Sequence, residues 1–267
     1  MVKLKTVKLV TPILVLLGLL VSGCVTTTDS RFSREADRDK ALANYVQLAT
    51  AYIGQGNLGR ARHHLDRAFE LDEDYAAAHA AMGLVYSSEG EDDLAEKSFR
   101  KSVASDGGYT RGRVYYGAFL YSKNRFDEAR AQFKSASEDT SYKDRGGVFY
   151  NLGMTEERLG NLAEAEASYR RAVELTRGEA RTVLSLSRVL VEQDDYSAAS
   201  RYYARLQTMI QRNPRLTHSA ESLFTGIRIA RHFQDRDQEA SLALLLKNEF
   251  PESVEFQQYK VLITNGK

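Results

Sequence analysis

The apolar positions of this chain repeat on two scales. Locally they recur every three or four residues, as in Ala61, Leu65 and Ala68, which is the stripe of an amphipathic helix. At longer range the stripe itself recurs. An alanine followed four residues on by an aromatic residue or leucine stands at Ala61/Leu65, Ala95/Phe99, Ala129/Phe133, Ala165/Tyr169, Ala199/Tyr203 and Ala240/Leu244, at intervals of 34, 34, 36, 34 and 41 residues. Upstream of these lies a second stripe with a small residue in it: Leu48-Ala49, Met82-Gly83, Tyr116-Gly117 and Leu152-Gly153. Turn signals separate the two stripes at Gly56-Asn57, Gly90-Glu91, Asn124-Arg125, Gly160-Asn161 and Asp194-Asp195. The pattern predicts six helical hairpins, over about 42–75, 76–109, 110–143, 146–179, 180–213 and 221–254.

A small residue on each helix of a hairpin lets the pair approach closely. One hairpin cannot bury both of its faces, so neighbours must stack into a superhelix with a concave inner wall. This 34-residue pattern is similar to the tetratricopeptide repeat. The resemblance implies an all-α fold, a right-handed superhelix of six repeats, with residues 256–267 as the tail of a short C-terminal cap. The interval of 41 places an insertion around Arg205 to Ser219, where Asn213-Pro214 marks a break. It predicts a lengthened second helix in the fifth repeat, followed by a loop. The sixth repeat is degenerate, with Arg228 where the others carry the small residue.

The first 34 residues lack this pattern. Lys3, Lys5 and Lys8 precede a thirteen-residue apolar run from Leu9 to Val21, too short to span a bilayer and suited to a secretory signal. Val21-Ser22-Gly23-Cys24 resembles a lipobox, which implies cleavage after residue 23 and acylation of Cys24, the single cysteine; the alternative is an ordinary cleaved signal with an incidental cysteine. The expected attachments are an N-acyl chain and an S-diacylglycerol, and two or more acyl chains hold a protein stably on a bilayer. Val25 is not an aspartate, so the retention signal of inner-membrane lipoproteins is absent and the outer membrane, periplasmic face, is the expected address. Residues 24–34 read as a polar linker and 35–267 as the repeat domain.

Composition narrows the chemistry. Without the three lysines of the signal, 34 basic residues face 36 acidic ones, so no cationic excess favours nucleic acid. With its cysteine given to lipid, the chain has neither a disulfide nor a thiol catalyst. His63 and His64 are neighbours on a helix and point about 100° apart, while His79 occupies an aromatic packing position. No phosphate loop, HExxH motif or nucleophile elbow is present. No metal or free cofactor is expected, and the chain reads as a binding protein, not an enzyme.

In the tetratricopeptide family, partners usually lie against the first helix of each unit, at its second, fifth, ninth and twelfth positions. On this chain the frame selects Ala43, Val46, Thr50 and Ile53, then Ala77, Ala80, Leu84 and Ser87, then Arg111, Val114, Ala118 and Tyr121, then Gly147, Tyr150, Met154 and Glu157, and in the fifth unit Arg181, Leu184, Arg188 and Val191. The candidate partner groove is Val46, Thr50, Ile53, Leu84, Arg111, Val114, Tyr121, Tyr150 and Met154. It is apolar, which suits an apolar or amphipathic segment. Either these side chains form an open trough or tight curvature hides them against each other or against the N-terminal segment.

A lipobox followed by six such repeats resembles the PilF/PilW-type pilotins of type IV pilus assembly. Local runs agree, among them Asn57-Leu58-Gly59-Arg60-Ala61-Arg62, Tyr115-Tyr116-Gly117-Ala118-Phe119-Leu120-Tyr121 and Leu244-Leu245-Leu246-Lys247-Asn248-Glu249-Phe250-Pro251. The resemblance implies a monomer that binds secretin subunits, brings them to the outer membrane and promotes their multimerisation. Two other envelope lipoproteins share the general plan: an NlpI-like scaffold gathering peptidoglycan hydrolases and a BamD-like assembly factor. Shorter arrays are expected of both.

Overall fold

Six tight turns set the period of the structure. Gly56, Gly90, Asn124, Gly160, Asp194 and Gln234 all have left-handed backbone, with φ from 59° to 80°. Asparagine and aspartate tolerate this region better than most side chains, so Asn124 and Asp194 stand in for glycine. After the turn, a side chain often caps the next helix. Asn57 accepts from the Arg60 amide, Asp195 from Ala198 and Asp235 from Gln238, which satisfies one of the free amides of each helix start.

The computed structural model describes residues 31–265. The predicted signal, Cys24 and the beginning of the linker lie outside the described residues. Thirteen helices follow in order. Six hairpins pair α1 (Arg31–Gly54) with α2 (Leu58–Leu71), α3 (Ala76–Glu89) with α4 (Asp92–Ser105), α5 (Thr110–Ser122) with α6 (Phe126–Ser137), and α7 (Arg145–Arg158) with α8 (Leu162–Leu175). The last two pair α9 (Ala180–Glu192) with α10 (Tyr196–Arg212) and α11 (Ala220–His232) with α12 (Arg236–Glu249), before a final helix α13 (Val254–Asn265). The fold is the all-α tetratricopeptide superhelix that the pattern predicts. Each first helix packs on its own partner; α1 also packs on α3, α3 on α5, α5 on α7 and α9 on α11, and α9 reaches α7 through Arg188 and Glu157, so α1, α3, α5, α7, α9 and α11 form the inner wall.

The recurrent small residue explains the pairing. A Cβ built on Gly83, Gly117 or Gly153 comes within 2.6, 2.8 or 2.7 Å of the rings of Phe99, Phe133 and Tyr169. Those rings are almost wholly buried. In the fifth hairpin Ser187 takes the place, and its hydroxyl donates to the Ala199 carbonyl at 2.9 Å.

Three expectations need correction. Helix α1 starts at Arg31, so the last part of segment 24–34 is helical. The insertion does lengthen α10, to 17 residues, before an irregular stretch. The register of the sixth hairpin, however, is offset by one residue from the alignment on Ala240. Glu239 donates its amide to Asp235, as each repeat alanine does to the residue after its turn. The alanine slot therefore holds Glu239, whose carboxylate pairs with Arg231 at 2.9 Å, while Ala240 and Leu244 are exposed. Likewise Ile227, not Arg228, fills the small-residue position, and Gly226 beside it makes the close approach to Tyr203.

Charged contacts tie hairpins together on the other side. Glu96 of α4 accepts from Arg125 at 2.6 and 3.0 Å, from Arg100 at 2.7 Å and from the Tyr116 hydroxyl at 3.0 Å. Chiefly the Arg125 guanidinium holds its carboxyl down from the ordinary value near 4.5 to about 2. A depressed carboxylate adds stability above its unfolded value and loses it as the pH falls through its folded value. This contribution is complete above about pH 4.5 and disappears towards pH 2. The side chain is 23% exposed, so solvent screening leaves about 1 kcal/mol. Glu96→Gln should cost that much at pH 7 in urea melts, and the gap to wild type should close between pH 4.5 and 2. A gap independent of pH means that the ion pairs contribute nothing.

Candidate functional site

The inner wall brings the predicted groove residues onto one concave face but does not treat them alike. Val46 and Ile53 of α1 are half-buried, packed against the first core cluster. Thr50 between them donates its hydroxyl to the Val46 carbonyl at 2.8 Å and is turned towards its own helix. Leu84 and Val114 are half-buried against the next cluster. Arg111 is exposed beside Tyr109 and Tyr142. Ala77, Ala80 and Val191, which the same positional frame selects, are buried. Among the described residues the wall is neither a fully open trough nor plugged: Val46, Ile53, Leu84 and Val114 keep one side in water, while Ala77, Ala80 and Val191 do not.

The middle of the wall is where the positions converge into cavities. Tyr121, Met154, Ala118 and Asn151 line a cleft between α5 and α7 of about 80 Å³. Next to it, Tyr121, Tyr150 and Met154 line a hollow of about 430 Å³ together with Glu157, Arg158, Arg188 and Glu221. Tyr121 meets Phe126 edge to face at 5.3 Å, and the Arg158 guanidinium lies 4.6 Å from the Phe126 ring centre. Arg181 lies 4.8 Å from the centre of the Tyr150 ring, a cation–π contact that covers part of it. Val46, Thr50, Ile53, Leu84, Arg111 and Val114 line neither cavity.

The electrostatics of the hollow come from one arginine. Arg188 of α9 donates from both terminal nitrogens to Glu157 of α7 at 2.6 Å each. Its Nε lies 2.5 Å from Glu221 Oε1 of α11, but the N–H is not aimed at that oxygen, so this second link is a charge contact. Glu157 also accepts from the Tyr169 hydroxyl. One guanidinium thus joins the inner helices of three successive repeats. Reasoning from sequence reached Glu157 and Arg188 as wall positions and missed Glu221, Arg158 and Asn151. Opposite charges 31 residues apart on adjacent first helices were the available signal for the pair; nothing local marked Glu221.

The histidines fill packing positions. His79 packs against Phe69 with ring centres 4.8 Å apart and the planes tilted by 42°, and its Nε2 is 2.8 Å from the Glu73 carbonyl oxygen. Among the described residues no group of three histidines, cysteines or carboxylates is placed to hold a metal. None of the described helices is long and apolar enough to cross a membrane. The site offers a binding surface of aromatic and thioether groups, flanked by the paired charges of Arg188, Glu157 and Glu221 and by Arg158 on the Phe126 ring.

Comparison with known proteins agrees with this plan. Residues 46–110 and 115–180 match the tetratricopeptide repeat family. The type IV pilus assembly protein PilF of Pseudomonas aeruginosa is 35% identical over 246 residues, spanning 92% of this chain and 95% of that protein. An uncharacterised protein of Haemophilus influenzae is 28% identical over 52% of this chain and 75% of its own length. A solved structure of Pseudomonas aeruginosa PilF superposes with a TM-score of 0.75, covering 84% of this chain and 99% of that one. The crystal structure of PilW, a widely conserved type IV pilus biogenesis factor, shares the fold with a TM-score of 0.67 at 22% identity, over 82% of this chain and 97% of its own. A superhelix of six hairpins matching PilF nearly end to end, in sequence as in fold, places this chain in the PilF family of tetratricopeptide-repeat proteins of type IV pilus biogenesis.

Proposed function

We propose that this protein acts as a pilotin: a lipid-anchored scaffold that binds subunits of the pilus secretin and promotes their multimerisation at the outer membrane. The observation that carries the reading is the near full-length match to a type IV pilus assembly protein. A binding wall with no catalytic constellation suits a chaperone-like task, in which an aggregation-prone segment is masked until it assembles. Acyl chains on Cys24 supply the address, and the concave face holds the cargo. Enzyme recruitment in the manner of a general envelope scaffold has no specific observation in its favour.

Two variants test the two halves. Cys24→Ser should leave the repeats folded while the protein and secretin multimers are lost from the outer-membrane fraction. Ala118→Arg fills the cleft between Tyr121 and Met154 from an exposed position. It should weaken secretin capture tenfold or more, about 1.4 kcal/mol, with the melting temperature unchanged. Normal multimers in the Cys24→Ser strain end the transport role, and undiminished capture by Ala118→Arg takes this cleft out of it.

A further inference from the structure

The last helix of a solenoid normally turns a polar face to water. Helix α13 does not. One stripe, Phe256 and Tyr259, packs with Phe250 on the core of the sixth hairpin. A second stripe, Val254, Val261 and Leu262, has the spacing of a separate helix face. Val254 is 68% exposed and Val261 58% exposed. This stripe, together with Glu255, Gln257 and Gln258, forms one wall of a cavity of about 810 Å³, whose opposite wall is Glu221, Phe224, Thr225 and Arg228 of α11 with Arg188 and Glu192 of α9. That volume is in the range of sites that enclose a ligand. It lies at the C-terminal end of the inner wall, beyond Tyr121, Tyr150 and Met154, and adjoins their hollow through the shared Arg188 and Glu221.

We infer that this cavity is a second docking site, for an amphipathic helix of another protein bearing lysine or arginine beside its apolar face. The apolar stripe and Phe224 give the helix its greasy contact. The charge follows from the rim. Arg188 is held by Glu157 and Glu221, and Arg228 by Glu192. Two cations therefore face four carboxylates, Glu157, Glu192, Glu221 and, on α13, Glu255, which leaves a negative excess, and Glu192 and Glu221 are 42% and 44% exposed with acceptor capacity to spare. A basic flank completes that rim, while an anionic bilayer is repelled by it. A second copy of this chain would bring the same acidic rim against itself, because a two-fold interface sets one patch against its like. The twelve residues of α13 give a helical occupant about 18 Å of parallel wall.

The test uses the intact protein and a synthetic helical peptide of about four turns, with leucines on one face and lysines flanking them. The peptide should bind saturably, and replacing its lysines by glutamates should weaken binding at least tenfold. Val254→Ser with Val261→Ser should also weaken it tenfold or more while leaving the melting curve in place, since both side chains are exposed. Equal affinity for the two peptides, or for wild type and the double variant, overturns the inference. So does a concentration-dependent dimer, or binding to phosphatidylglycerol vesicles, that the double variant abolishes; those outcomes assign the stripe to self-association or to a membrane. No secretin enters the measurement, so its result is separate from the fate of the pilotin reading.

Discussion

Gly153→Val should lower the melting temperature by about 6–12 °C and break the single unfolding transition into two. Gly153 sits where α7 crosses α8, and a Cβ there comes within 2.7 Å of two ring carbons of Tyr169. The ring cannot step aside, because Tyr169 is fully buried and its hydroxyl is held by Glu157. Valine adds little helix propensity over glycine, while forcing atoms into a packed core costs about 1–3 kcal/mol or more. We expect about 3 kcal/mol, and a chain of this size loses about 2–4 °C per kcal/mol. The split follows from the one-dimensional coupling of stacked repeats, in which each unit is stabilised by its neighbours alone. Damage in the fourth hairpin uncouples the first three from the last two. Gly59→Ala is the control, since nothing lies within 4 Å of a Cβ there; it should leave the curve in place or raise it by a degree or two. Should Gly153→Val melt with wild type in one step, close approach at this glycine is not what sets the hairpin geometry.

That contrast shows what the sequence could and could not convey. The fold was legible because a hairpin needs the same small residue and the same large one at fixed spacing, and five of six repeats keep them. The sixth misled because its alanine slot holds Glu239, a substitution tolerated through the ion pair with Arg231. An alignment that searched for alanine slid onto Ala240, which is exposed. The true register is fixed by the left-handed turn at Gln234 and the Glu239 amide bond to Asp235, and glutamine carries no turn signal in a sequence. The groove was legible in part. A positional frame names the helix face but not the curvature, and curvature decides how deep a side chain sits. Val46 and Leu84 therefore pack against core clusters as well as facing the wall, so an aspartate at either would cost stability along with any binding. Tyr121, Tyr150 and Met154 border real hollows. The role of α13 was hidden because its two stripes overlap within a dozen residues and read as one undistinguished apolar tail.

Arg188→Met should cost about 3 kcal/mol, comparable to the glycine variant but through charge instead of volume. The arginine side chain is 29% exposed and Glu157 is 12% exposed. Methionine keeps much of the length and packing of the arginine stem and removes only the guanidinium. Glu157 then keeps the Tyr169 hydroxyl alone, and a largely buried carboxylate stripped of its cation costs several kcal/mol. Glu221 loses its neighbour as well, but at 44% exposure it turns to water at little cost. The double variant Glu157→Gln with Arg188→Met separates the two contributions. It removes both charges and should recover more than half of the loss, because most of the damage is the orphaned carboxylate and not the missing attraction. Additive losses in urea melts of the two single variants and the double would show that the pair is not coupled, and that the repeats are held together at this point by packing alone.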